Sequence, residues 1–341
     1  MNGKSYERTE SRKDEQVMNG KRIIRRLLPL CLILGVGVSG LTGCHGRKNG
    51  SGDPKVQKAH AVDRGKLKDK SVVISVGDTT VTYAEYLTYQ WLLQTPLKTA
   101  YPDALWNYEF QGKSMDQESL EELLKTIIQI KILVKESDGN NVSLGVDEIK
   151  DMDHKADELY ASIPEDEVKN YKISKELLHR IYEENNLAVK MYEVWGKDVG
   201  GEGTEAEKIQ KVTWEFTPED KEEKYNEAKA WADGRASYAG NFMSYAAQTG
   251  KLAKEEYVGD LDKDETLHKE ALLLEKGGMA GPVETEDAYV VLSLVDKNSK
   301  AVLETYQSQI LSIRQRENFV TVYEIRAQKY EVKVSHSLVQ K

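Results

Sequence analysis

The chain has 341 residues, 39% of them hydrophobic and 31% charged, with 48 Lys and Arg against 57 Asp and Glu. The resulting net charge of −9 argues against a nucleic-acid partner and favours solubility. Only two cysteines occur, Cys31 and Cys44, which excludes a disulfide scaffold and any C-x-x-C metal site, so the fold stands on packing.

Lys21, Arg22, Arg25 and Arg26 precede an uncharged stretch from Leu27 to Leu41 rich in Leu, Ile, Val and Gly. That is the charge layout of a signal peptide, and at fifteen residues the stretch is short for a bilayer span. Leu41-Thr42-Gly43-Cys44 resembles a bacterial lipobox, which implies cleavage after residue 43 and acylation of Cys44. A double acyl chain on Cys44 would hold the protein to the membrane durably, each buried methylene contributing about 0.8 kcal/mol. Met-Asn-Gly-Lys occurs at Met1 and again at Met18, so translation from Met18 would leave a basic segment of ordinary length. Removing residues 1–43, with their 8 basic and 4 acidic side chains, leaves 40 against 53 and a net charge of −13.

Residues 44–70 are rich in Gly, Lys, Asp and Ser and read as a flexible tether, reaching roughly 25 to 30 Å by random-coil scaling. Val72, Ile74 and Val76 alternate up to Gly77-Asp78, and Thr80-Val81 resumes the extended run, which predicts a hairpin. Thr82 to Glu85 spells a capping box for an aromatic-rich helix from Tyr83 to Leu93, ended by Pro96. A second helix, Leu120 to Glu136, stops at Ser137-Asp138-Gly139-Asn140, and Val146 opens further helical stretches to Trp195.

Gly200-Gly201-Glu202-Gly203 breaks the helical run. Beyond it the pattern predicts a strand at Val212–Phe216, helices at Pro218–Gly234 and Phe242–Thr249, and a strand at Tyr289–Val295. A last helix spans Val302–Lys329 before an alternating strand at Tyr330–Val334. The expected fold class is α+β: a mostly helical domain built from both ends of the chain, with an inserted α+β module. The expected segments are signal peptide 1–43, tether 44–70, helical segment 71–203, insert 204–297, and a C-terminal helix and strand, 298–341, packing on the helical segment.

Three stretches resemble the extracytoplasmic foldases of the PrsA/SurA class, which carry a parvulin-type peptidyl-prolyl isomerase domain between chaperone segments. The first is Val73-Ile74-Ser75-Val76-Gly77-Asp78 with Val81-Thr82 and Glu85-Tyr86; the second is the Leu123–Glu136 helix followed by Leu144 to Ile149. The third and most specific runs Gly259-Asp260-Leu261, Glu270-Ala271, Leu274 to Gly277, Gly281-Pro282-Val283-Glu284-Thr285 and Ala288-Tyr289, with Gly240, Phe242 and Ala246 matching the preceding helix.

The resemblance implies a site that weakens the resonance of a prolyl amide, whose rotational barrier is about 18–20 kcal/mol, with two histidines and an apolar cup. In this chain the first family histidine falls on Trp214 and the second on Val290, while the cup's methionine and phenylalanine fall near Lys263 and on Leu267. His268, next to Leu267, reads as a surface histidine, with a rescuing acid or base as the alternative. The resemblance therefore implies the shape of an isomerase with little isomerase activity, and partners that are unfolded or newly secreted polypeptides at the outer face of the membrane. An active isomerase with an altered pocket, or a receptor-like envelope lipoprotein, is the competing reading.

No cofactor or metal is expected. Gly35 to Gly40 spells G-x-G-x-x-G but lies inside the signal stretch. Asp260, Asp262 and Asp264 imitate a calcium loop, yet Glu265 stands at its glycine position and Ala271 at its final glutamate. His45, His60, His154, His179, His268 and His336 are scattered without zinc spacing. Glu222, Glu223, Lys224 and Glu227 read as a solvated helix face. Tyr86, Tyr89, Trp91, Tyr101, Trp106 and Tyr108 are either core residues or an adaptable binding surface.

Overall fold

A computed structural model describes residues 56–59, 67–100, 106, 109–110, 113–197, 200, 203–335 and 338. The expected signal stretch, the expected lipidation residue Cys44, Tyr101 and Tyr108 lie outside the described residues. The fold is α+β, and its contacts divide it into two units. One comprises the residues through Trp195 together with Phe319 onward; the other is Gly196–Asn318. No helix among the described residues is long and apolar enough to cross a membrane.

The first unit carries a four-stranded sheet, in the order β1 (Val56–Ala59), β10 (Val332–Ser335), β2 (Val72–Val76), β3 (Thr79–Thr82). Strands β2 and β3 form the expected hairpin about Gly77-Asp78, with Val76 opposite Thr79. β10 lies antiparallel to β2 and parallel to β1. The segment expected to be a structureless tether thus contributes a strand at Val56–Ala59, whose hydrogen-bonding partner lies 276 residues away at Val332. Such a pairing leaves no local signature.

Helix α1 (Tyr83–Ala100) continues through Pro96 instead of ending there. Leu93 is buried and Leu97 packs against the same core, so tertiary packing on both sides of the proline outweighs the one backbone hydrogen bond it removes. After the short pair β4 (Glu109–Phe110) and β5 (Lys113–Ser114), α2 spans Met115–Ser137. Its true N-terminus is a capping box: Gln117 N–H donates to Ser114 Oγ at 3.2 Å, and Ser114 N–H donates to Gln117 Oε1 at 3.0 Å. Helices α3 (Val146–Ser162), α4 (Glu165–Asn170) and α5 (Lys175–Gly196) follow.

The core of this unit sets Val73, Ile74, Val76 and Val81 of the hairpin against Tyr86 and Tyr89 of α1 and Leu123, Ile127, Ile130 and Leu133 of α2. Tyr86, Tyr89, Trp91 and Trp106 are all buried, so the described members of the aromatic cluster are core residues and not a displayed binding surface. Their hydrophobic burial is the dominant favourable contribution here.

The second unit is a sheet in the order β7 (Lys254–Gly259), β6 (Ala206–Glu215), β9 (Ala288–Lys297), β8 (Met279–Glu284), antiparallel throughout. Helices α6 (Lys221–Ala236) and α7 (Phe242–Gln248) supply one apolar layer against it and α8 (Thr266–Leu272) another. The chain closes with α9 (Lys300–Ala327) before β10. Val302, Tyr306 and Ile310 at the start of α9 pack with Ala206, which is why the helix as far as Asn318 belongs to the second unit, although the sequence suggested packing on the helical segment.

Candidate functional site

Successive side chains of a strand point to opposite faces, and residues directly opposite on neighbouring strands share a face. In the β6–β9 register Thr213 stands opposite Val290, and Trp214 opposite Tyr289. Trp214 therefore packs with Val212, Tyr289, Val291, Trp231 and Phe242, while Val290 packs with Ile209, Val283, Leu292 and Leu267 on the other face. The two positions expected to have lost histidines do not come together. The residue sharing a face with Val290 is Thr213, one position before the expected Trp214; a one-residue slip in reading a strand reverses its faces.

Trp214 is a core residue. Its ring meets Trp231 edge-on at 5.7 Å, and Lys251 Nζ sits 5.1 Å from its centroid. Its indole Nε1 is buried and, among the described residues, has no hydrogen-bond partner. Leu267 is half-buried against the Val290 cluster. Lys263 is exposed, with its ammonium 2.5 Å from Glu317 Oε1.

Around Val290 the sheet face is aliphatic, flanked by exposed Thr213. The hollow that adjoins it, of about 560 Å³, includes Pro282 and Val283 but is walled by Lys229, Asp233, Glu270 and Glu284. A proline ring would meet charge there in place of a dry apolar cup. Gly281, the motif glycine at its edge, has φ +126°, and a Cβ on it would fall 2.6 Å from Val290 O. Only glycine lets β8 approach β9 so closely.

His268 is a buried residue, 4% exposed, which corrects the surface reading. Its Nδ1 lies 2.6 Å from Glu207 Oε2, and Glu207 is itself fully buried. Glu207 precedes Thr213 by six residues on β6, about 20 Å along a strand, so the imidazole is held far from the Thr213–Val290 position. Burial raises the Glu207 carboxyl above its usual value, opposed by the hydrogen bond to His268. No sequence pattern marks this pair, because its members are 61 residues apart.

The calcium-like aspartates are each engaged locally. Asp260 accepts from Thr204 N–H and Oγ1 at 2.9 and 2.8 Å; Asp262 accepts from Gly259 N–H at 2.8 Å and from Tyr306 Oη at 3.2 Å; Asp264 accepts from Thr266 N–H at 2.9 Å. They are turn and cap residues, and among the described residues no cluster has the make-up of a metal site. Burial pushes Asp262 up to about 6. Tyr306 is raised by burial and then by the neighbouring Asp262. A Cβ at Gly259 would strike Glu205 O at 2.5 Å, so this motif glycine too is required by a close approach of backbone.

In the first unit a buried ionic cluster joins three helices. Lys131 Nζ of α2 lies 2.7 Å from Glu85 Oε1 of α1 and 2.5 Å from Glu184 Oε2 of α5. Arg180 of α5 reaches Glu85 Oε2 at 2.6 Å. Glu85 N–H donates to Thr82 Oγ1 at 3.3 Å, as a capping box requires, but the Glu85 carboxylate turns into this cluster instead of closing the box.

No family model matches the sequence, and no curated protein matches it. Solved structures similar to the chain are parvulin-type isomerases and PrsA- and SurA-like foldases. A PpiC-type peptidyl-prolyl cis-trans isomerase domain is 26% identical, covering 28% of this chain and 93% of its own, with a TM-score of 0.24. The peptidylprolyl isomerase PrsA from Bacillus anthracis is 15% identical over 61% of this chain and 96% of its own, with a TM-score of 0.35. One of two structurally related SurA-like chaperones from Campylobacter jejuni is 12% identical over 78% of this chain and 99% of its own, with a TM-score of 0.26.

Proposed function

We propose that this chain is a membrane-tethered, extracytoplasmic chaperone of the parvulin foldase type, assisting newly secreted polypeptides, whose inserted sheet unit has little or no isomerase activity. The observation that carries the reading is the Val290 face. There the cross-strand partner of Val290 is Thr213, the surroundings are aliphatic, and the adjoining hollow is lined with charge. Twisting a prolyl amide needs donors preorganised toward the transition state in a dry site, and beside this face the polar groups are exposed Thr213 and the charged walls of an open hollow. His268, the one imidazole near it in sequence, is committed to Glu207.

The tether rests on the sequence: four basic residues, fifteen uncharged ones, then Cys44. Two assays test the reading. The full chain should suppress aggregation of several unrelated unfolded proteins, and at micromolar concentration it should not accelerate a protease-coupled cis-prolyl peptide assay. Clear acceleration would overturn the inactive assignment; failure to protect any client would overturn the chaperone. Substituting Cys44→Ala should move the protein from the membrane to the soluble fraction.

A further inference from the structure

The first unit contains an open groove of about 480 Å³, within the range of pockets that enclose small groups. Its floor is apolar: Ala84 at the start of α1, Val168 of α4, Ile173, and Leu177 of α5. Ile173 is 4% exposed and belongs to the small core formed with Trp91, Ala156 and Leu178, so the floor is fixed by packing. The rim carries Lys70, Lys169, Lys172 and Arg180, with Asp69 as its one carboxylate.

That charge runs against the grain of the molecule, in which acidic residues outnumber basic ones. Two rim cations are already engaged: Lys172 lies 3.9 Å from Asp69, and Arg180 holds Glu85. Lys70 and Lys169 are exposed, and among the described residues neither has an ion-pair partner. An apolar floor ringed by cations is complementary to apolar groups beside anions, and complementarity of this sort sets specificity more than raw affinity.

We propose that this groove docks a polypeptide segment in which carboxylate side chains flank an apolar one. The inference deepens the chaperone reading and rests on it, since it names the class of segment that the helical unit selects. Acidic, aliphatic segments are held by the Lys70 and Lys169 ammonium groups over the Val168, Ile173 and Leu177 floor. Basic segments of equal hydrophobicity are turned away.

The test uses the full chain and two fluorescent, C-terminally amidated peptides, leucines alternating with glutamates in one and with lysines in the other. The glutamate peptide should bind about tenfold tighter, and the double substitution Lys70→Glu with Lys169→Glu should abolish that preference. Both side chains are exposed, so the variant should unfold at the same urea concentration as the parent. Arg180 is left intact because it also pairs with the buried Glu85. Equal binding of the two peptides, or a preference that survives the double substitution, overturns the proposal. Suppression of client aggregation without peptide preference sinks the groove and leaves the chaperone; peptide preference without suppression does the reverse.

Discussion

Lys131 offers a direct measure of what holds the helical unit together. Its side chain is 2% exposed, and its ammonium is shared between Glu85, 1% exposed, and Glu184, 15% exposed. Replacing Lys131 with Met keeps the unbranched stem and removes only the charge, so packing changes little. Glu85 would keep Arg180, a half-exposed guanidinium, and Glu184 would keep the Tyr89 hydroxyl at 3.5 Å. Removing one partner of a buried pair costs about 3–5 kcal/mol; with Arg180 still in place the lower end, about 3 kcal/mol, applies. Burial and the two carboxylates hold the Tyr89 hydroxyl far above its usual range, so it stays a neutral donor and supplies no replacement charge. Urea unfolding followed by tryptophan fluorescence reports the change, since Trp91, Trp106 and Trp195 are buried in this unit. Adding Glu85→Gln to Lys131→Met removes a buried carboxylate that has lost one of its two cations and should recover about half of the loss. A single-variant loss under about 1 kcal/mol, or a double variant less stable than the single, would refute a coupled buried network.

Four further expectations follow from the second unit. Asp262 ionises near 6 in the folded chain against an ordinary 3.8, so the native state binds the extra proton and stability falls as pH rises from about 4 to 6. Asp262→Asn should flatten that limb of a pH–stability curve and add about 1 kcal/mol above pH 6, once solvent screening of this half-buried group is allowed for; an unchanged limb would show the titration to lie elsewhere. His268→Ala leaves Glu207 buried without its partner and should cost about 2–4 kcal/mol in thermal or urea unfolding of this unit. Thr213→His with Val290→His should yield two imidazoles that titrate as a coupled pair by NMR, whereas Trp214→His with Val290→His should not, because those positions occupy opposite faces. Gly281→Ala should lower the melting temperature of this unit, its Cβ meeting backbone at 2.6 Å; an unaltered melt would mean that β8 yields without cost.

Where structure depends on nearest neighbours in the chain, the amino-acid pattern was a good guide. The alternation of Val72, Ile74 and Val76 with Gly77-Asp78 describes the hairpin, and the glycines at 259 and 281 stand where backbone must approach backbone. Pairings at long range were not legible. Val56–Ala59 looks like solvated chain until β10 is set beside it, and Pro96 looks like a helix end until Leu93 and Leu97 are seen packed on one core. The candidate site shows the same limit more sharply. Val290 and Leu267 pack in one cluster, but the partner strand has no motif to anchor its register, and the residue opposite Val290 is Thr213, not Trp214. His268 offered no hint of burial because its partner, Glu207, is 61 residues upstream.

The sheet order β1-β10-β2-β3 has a temporal meaning for a protein made from its N-terminus. Val72–Thr82 can form its hairpin early, yet the strand that sits between β1 and β2 arrives only with Val332–Ser335. The Gly196–Asn318 unit, contiguous in sequence, has all its strands in hand well before then. Contacts of such long sequence separation form slowly because loop closure must precede them. During synthesis the helical unit would thus be the last part to mature, and a chain stalled before Val332 would display the side of β2 that β10 normally covers, an edge open to pairing with other chains.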